Sequence, residues 1–197
     1  MKLILASGSQ RRRELLTMCG YDYGIVVSRA DEAIDEADPG LYVEALAERK
    51  AREVFDRLGG VDEDGESIAV LGSDTVVFSE GSIIGKPKDA QDAVRILSAL
   101  SGKTHTVYTG VAVVTAAGCE TELGKTEVTF EELTEEEIES YVASGEPMDK
   151  AGAYGIQGPF GMFVKEVKGN YFTVIGLPLP SAYRLLKNAG ILPRDFR

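Results

Sequence analysis

Lys2-Leu3-Ile4-Leu5-Ala6-Ser7-Gly8-Ser9-Gln10-Arg11-Arg12-Arg13 is a short apolar run that breaks at a Ser/Gly turn and feeds directly into a helix reaching about Cys19-Gly20. The pattern continues outward. Residues 23–28 read as a strand, and Pro39 to Leu58 as a long amphipathic helix stopped by Gly59-Gly60. Residues 68–71 form a buried strand, and 75–84 a hairpin turning near Glu80-Gly81. Asp89 caps a helix through Leu100. Two strands follow, about 104–115 and 121–131, joined around Ala117-Gly118. Thr134-Glu135-Glu136-Glu137 is a capping box that opens a helix to Ser144. After a Gly-rich stretch from Gly145 to Gly161, strands near 162–167 and 171–175 flank the Lys168-Gly169-Asn170 turn. Pro178 starts a last helix that ends at Gly190. Hairpins interleaved with helices argue an α/β fold with a mixed, twisted, partly antiparallel central sheet flanked by helices. With no internal repeat and no low-complexity linker, one domain over residues 1–197 is expected.

The chain has 197 residues, 44% of them hydrophobic, enough for one sizeable core. Its formal net charge is −11, which argues against a general nucleic-acid binder with a basic face. Such a protein can still bind a phosphorylated small molecule if it concentrates positive charge locally. The single histidine, His105, excludes schemes that need two. Acid–base chemistry then falls to carboxylates, with any metal held by oxygen ligands, as magnesium prefers. Cys19 and Cys119 make no ligand cluster or disulfide framework. No apolar run reaches the roughly 18 residues of a membrane span, and the N-terminal run is too short for a signal peptide. A cytoplasmic location, away from membranes, is the expectation.

The opening turn carries positive charge at the wrong end of a helix. Ser7, Gly8 and Ser9 offer hydroxyls, a flexible backbone and free N–H groups, a combination suited to phosphate. Arg11, Arg12 and Arg13 lie at the positive end of the helix dipole, where each cation is disfavoured by roughly 0.3–1 kcal/mol. A bound polyanion reverses that sign. An ordinary N-cap followed by solvated arginines is the competing reading, and Arg13 is read as solvated in either case. The motif is no Walker A loop.

On the long helix, Val43, Leu46, Ala47, Lys50, Val54 and Leu58 share one stripe at 100° per residue. Lys50 sits in its middle, where a lysine needs a partner or must snorkel to solvent. Reaching a phosphate is the functional alternative. Between the apolar runs Ile68–Leu71 and Val76–Phe78 lies Gly72-Ser73-Asp74-Thr75. That composition reads as a turn, or else as a strand end presenting Asp74 as a general base or metal ligand. Lys86, in Gly85-Lys86-Pro87, is either an exposed loop lysine or a phosphate ligand returning to the same cleft. The stretch Gly145 to Gly158 is too long for a tight turn, and its Gln157 has the donor and acceptor needed to read a base edge. His105 is read as structural.

Taken in order, these segments resemble the Maf family of nucleoside triphosphate pyrophosphatases. The matching pieces are Leu5 to Arg12, Ser73-Asp74-Thr75-Val76-Val77, Gly85-Lys86-Pro87, Leu100 to His105, Gly145 to Gly158, and Gly176-Leu177-Pro178-Leu179. Each is weak alone, but the ordered set spans nearly the whole chain. The resemblance implies a hydrolase acting on an acid anhydride. Such an enzyme cuts a nucleoside triphosphate between its α and β phosphates in a cleft, with a divalent cation (Mg²⁺ or Mn²⁺) and usually as a homodimer. It implies that Asp74 is the proton acceptor and that Ser7, Arg11, Arg12, Lys50 and Lys86 line the phosphate cleft. Glu32 matches an acidic position near that cleft, with metal or water binding, although Asp31, Asp35 and Glu36 lie close by. Arg11, Thr75 and Gln157 match positions that set base choice, and the Asp-Thr pair resembles the branch acting on dTTP and UTP. The alternatives are modified pyrimidine nucleotides as substrates, the 7-methyl-GTP branch, which typically carries Asp-Gln there, and a non-catalytic nucleotide-binding regulator of septum formation. Two positions depart from the family pattern. Gln10 stands where proline is common, and Thr173 where asparagine or alanine is frequent.

Overall fold

The computed structural model describes residues 1–196. Its strands are β1 (Lys2–Leu5), β2 (Tyr23–Ile25), β3 (Ile68–Ser79), β4 (Ser82–Ile84), β5 (Thr104–Thr115), β6 (Gly118–Phe130) and β7 (Val164–Gly169). They form one seven-stranded sheet in the order β2-β1-β3-β5-β6-β7, with β4 paired to β3. The helices are α1 (Gln10–Met18), α2 (Pro39–Leu58), α3 (Ala90–Leu100), α4 (Glu135–Ala143), α5 (Tyr171–Ile175) and α6 (Leu179–Asn188). β1 pairs in parallel with both β2 and β3, whereas β3–β4 and β6–β7 are antiparallel. The parallel pairs need crossovers, which α1 and α2 supply. The fold is therefore α/β with a mixed sheet flanked by helices.

The chain divides into two compact units. One comprises Met1–Asp74, Thr109–Gly124 and Gly176–Arg197; the other comprises Thr75–Tyr108 and Lys125–Ile175. The long strands β3, β5 and β6 contribute residues to both. In the first unit, Ile4, Ala6, Ala47, Ala51, Val54, Val70 and Ala112 pack into one core cluster. The second unit has an aromatic core in which Phe130, Tyr141, Tyr154 and Phe160 meet with centroids 4.8–5.4 Å apart.

Helix boundaries follow local chemistry. The Asp38 carboxylate accepts from Gly40 N–H and Leu41 N–H at 2.8 and 2.9 Å, and Pro39 opens α2. Asp89 caps α3 through Asp92 N–H. Thr134 and Glu137 form a reciprocal capping box on α4. The β3–β4 turn has left-handed backbone at both Glu80 (φ 49°) and Gly81 (φ 80°), the conformation that matches strand twist in a two-residue hairpin.

Three local readings are corrected. Gly72-Ser73-Asp74-Thr75 is not a turn, because β3 runs unbroken from Ile68 to Ser79 and places Asp74 in mid-strand. Residues 171–175 are helical rather than extended. There the Asn170 side chain accepts from Phe172 N–H at 2.9 Å, and this Asx turn starts α5 despite its β-favouring Tyr-Phe-Thr-Val-Ile composition. Arg13 is only half-exposed: its guanidinium folds back to donate to the Gly8 carbonyl at 3.1 Å, and its Nε is buried.

Candidate active site

The site in the first unit begins with a close approach. An added Cβ on Gly72 would lie 2.2 Å from the Ala47 carbonyl oxygen, and one on Gly110 would lie 2.3 Å from that of Val43. Two glycines thus let the α2 backbone descend onto β3 and β5. Side chains alternate along a strand, so Gly72 and Asp74 face the same side, the side that receives α2. Lys50 stands one turn beyond Ala47 on the same helix face. It therefore meets Asp74 directly, its Nζ donating to Asp74 Oδ1 at 2.7 Å. Lys50 Nζ also lies 2.8 Å from Glu32 Oε1, in the irregular segment that precedes α2. The Lys50 and Asp74 side chains are each 13% exposed, whereas Glu32 is 63% exposed. Lys50 does not snorkel; it holds two carboxylates at one point. Of the neighbouring acids Asp31, Glu32, Asp35 and Glu36, Glu32 makes this contact.

The basic turn is organised around Ser7 and Arg12. Ser9 caps α1 by position but makes no side-chain capping bond. Instead, buried Ser7 accepts at Oγ from Ser9 N–H and from Arg12 Nη1, both at 3.2 Å. Arg12 Nε donates to the Gly176 carbonyl at 2.7 Å. That carbonyl also lies 3.0 Å from the Ser73 hydroxyl, which sits 2.9 Å from the Gly110 carbonyl. Gly176 thus joins Arg12 to the residue before Asp74. Burial lowers the Arg12 pKa, with like-charged Arg11 acting in the same direction, while Asp74 and Glu32 oppose them. Gln10 opens α1 without proline and is tied to Glu14 at 2.9 Å.

The remaining candidates lie in the second unit. Thr75 follows Asp74 on β3 and is half-buried. Lys86 and Gln157 are exposed. The Gly85 carbonyl accepts from Gly152 N–H at 3.0 Å, which joins the Gly85-Lys86-Pro87 segment to the glycine-rich stretch within this unit. That stretch is built of short 3-10 turns, and a Gly158 N–H to Gly155 carbonyl bond at 3.2 Å presents Gln157. His105 is buried, bonded at Nε2 to Tyr154 Oη at 2.9 Å and set edge-on to Phe130. Burial pushes its pKa down to about 4.

Three residues around the first-unit site have no role assigned from the sequence. Tyr42 is raised in pKa chiefly by burial, and secondarily by the charges of Asp74 and Glu32, which places its phenol in their field. Ser73 and Gly176 act through buried polar contacts that no local pattern announces. Tyr42, four residues after the Asp38 cap and eight before Lys50, was legible only as a helix residue.

A half-buried arginine on a Ser-Gly-Ser turn thus shares its unit with a lysine on which two carboxylates converge. The chain belongs to the Maf-like protein family, whose model matches residues 2–189. A dTTP/UTP pyrophosphatase of Bacillus thuringiensis subsp. konkukian is 48% identical over 191 residues, 96% of each chain. One from Bacillus cytotoxicus is 49% identical over 187 residues, 94% of each chain. Among solved structures, the Staphylococcus aureus Ham1 protein aligns with a TM-score of 0.47 at 14% identity, covering 68% of this chain and 73% of that one. No helix among the described residues is long and apolar enough to cross a membrane.

Proposed function

We propose that this protein hydrolyses dTTP and UTP to the nucleoside monophosphate and pyrophosphate. The observation that carries the reading is the convergence of Glu32 and Asp74 on Lys50, in the unit that also holds Arg12 on the Ser7 turn. The names borne by relatives of nearly the same length support the choice of substrate.

In this mechanism Asp74 takes a proton from water as the water oxygen attacks the α-phosphorus in line. The bond from the α-phosphorus to the bridging oxygen breaks, and pyrophosphate leaves with the electron pair. Ser7, Arg12 and Lys50, all in the first unit, hold the phosphates and stabilise the charge on the leaving group, a role the family resemblance extends to Lys86, so positioning and electrostatics carry most of the rate. The family resemblance assigns base choice to Arg11, Thr75 and Gln157.

The donor set suits a divalent cation. Glu32 and Asp74 bring two hard oxygen ligands to one point, and Mg²⁺ is commonly held by one or two carboxylates together with substrate phosphates. The described residues offer no group of three or more His, Cys, Asp or Glu placed for a metal, so substrate oxygens would complete the shell. A cation bound there would supply Lewis-acid charge stabilisation. A cytoplasmic homodimer that does not bind nucleic acid is part of the same proposal. The net charge of −11 supports the last point, and the family resemblance supports the homodimer.

A panel of dTTP, UTP, 7-methyl-GTP and the remaining common triphosphates, assayed for monophosphate and pyrophosphate with Mg²⁺ and with Mn²⁺, tests the reading. Preferential turnover of dTTP and UTP is expected. Preference for 7-methyl-GTP would overturn the substrate assignment, and no pyrophosphate from any triphosphate would overturn the enzyme.

A further inference from the structure

Glu32 belongs to a segment without regular structure between β2 and α2, and its side chain is 63% exposed. An Asx turn spans it, with Asp31 Oδ1 accepting from Ala33 N–H at 3.0 Å, but that turn does not tie the loop to the helix beside it. Arg49 does. The Nη1 group of Arg49 donates to the carbonyl of Asp31 at 3.0 Å and to that of Ala33 at 2.9 Å, the residues on either side of Glu32. Its neighbour on α2, Lys50, receives the Glu32 carboxylate at 2.8 Å. Adjacent helix residues thus grip one loop residue at two levels, backbone and carboxylate. Upstream, Glu53 accepts from Arg29 N–H and Arg57 donates to the Val27 carbonyl, so the segment is pinned along α2 with Arg49 as the anchor at Glu32.

We propose that Arg49 is a positioning residue that holds Glu32 at the Lys50–Asp74 pair. It acts only through Glu32, and the inference rests on the proposed role of that carboxylate in cation binding. A flexible loop carboxylate binds a cation weakly because it must be ordered on binding; a clamped one is already in place. Groups that orient metal ligands typically contribute about 10–100-fold in metal affinity. Because Arg49 is exposed, its truncation leaves no hole in the core.

The test is a set of Mn²⁺ titrations without nucleotide, followed by electron paramagnetic resonance, paired with steady-state hydrolysis of dTTP. Arg49→Ala should weaken Mn²⁺ binding about 10-fold. At saturating Mn²⁺ it should lower kcat while changing KM for dTTP by less than about 2-fold, since phosphate contacts are intact. Arg49→Lys keeps the charge but lacks the fork, and should recover part of the affinity. Arg52→Ala removes the same charge from α2 from a side chain that pairs with Glu48 at 2.6 Å, and should leave binding unchanged. In a Glu32→Gln background, Arg49→Ala should have no further effect. The proposal is overturned by unchanged Mn²⁺ affinity in Arg49→Ala, by an equal loss in Arg52→Ala, by an undiminished effect in the Glu32→Gln background, or by failure of the unaltered protein to bind Mn²⁺. If that protein binds Mn²⁺ but releases no pyrophosphate from dTTP, the proposed function fails and the binding cycle still decides on Arg49.

Discussion

The ammonium of Lys50 lies 2.7 Å from Oδ1 of Asp74, joining the middle of the longest helix to the middle of β3. Both side chains are largely shielded, so neither charge is hydrated as it would be at the surface. A shielded pair of this kind is costly to break from one side, because the remaining charge loses its partner. The contact therefore bears on the fold as well as on the chemistry proposed for Asp74.

Asp74→Asn separates those two roles. The amide retains the shape and can still meet Lys50, but it cannot take a proton from water. Nucleotide binding should remain within a few-fold of normal, and kcat for dTTP should fall on the order of 10²-fold or more. Isothermal titration with dTTP beside a pyrophosphate assay measures both. Full turnover in this variant would remove Asp74 from the mechanism.

Lys50→Met leaves Asp74 and Glu32 without their shared cation. Chemical denaturation should show a loss of about 3 kcal/mol, the lower end for a broken buried pair, since Glu32 is largely exposed. Combined with Asp74→Asn, the loss should be less than additive by roughly 1–3 kcal/mol. Strict additivity would mean that the pair is not energetically coupled.

Gly72→Ala tests the close approach that brings α2 to β3. The new Cβ would stand 2.2 Å from a backbone oxygen, which no rotamer change can relieve. Overpacking of this kind costs about 1–3 kcal/mol or more. A lower Tm and a lower kcat should appear together, because any retreat of α2 carries Lys50 with it. Gly85→Ala meets nothing within 4 Å and should change stability by less than about 0.5 kcal/mol.

His105 should make stability depend on pH. Its folded pKa, about 4, lies below the ordinary histidine value of 6.5, so the unfolded chain takes up a proton that the folded chain refuses. Its contribution is therefore complete above pH ~6.5 and is lost as pH falls through ~4, with a total on the order of 3 kcal/mol for a side chain this deeply buried. Urea unfolding of the native protein and of His105→Gln between pH 7 and pH 4 isolates the effect from the carboxylates. The stability difference between the two should shrink with falling pH. A constant difference would contradict it.

Much of the architecture was legible because its causes are local. Asp38-Pro39 and Asp89 mark helix starts by offering an acceptor to nearby N–H groups, as Thr134 does with Glu137, and each does so in the folded chain. The stripe that exposed Lys50 as misplaced needs only helical geometry and a list of apolar residues. The charge on the turn after β1 needed only the direction of a helix dipole. These features act within a few residues of themselves, and a linear reading captures them.

Packing decided the rest. Gly72-Ser73-Asp74-Thr75 has the composition of a turn, yet it is strand because each residue answers a distant group: Gly72 the Ala47 backbone, Ser73 the carbonyls of Gly110 and Gly176, Asp74 the Lys50 ammonium. Arg12 bonds to the Gly176 carbonyl, 164 residues further along the chain, a partner no local pattern names. Arg49 stands on an exposed helix face, and only the loop carbonyls of Asp31 and Ala33 distinguish it from its neighbours. Composition, short-range periodicity and the family resemblance named the candidate residues. Which carboxylate meets which cation depended on backbones brought together from distant parts of the chain, and such contacts leave no periodicity for a linear reading to detect.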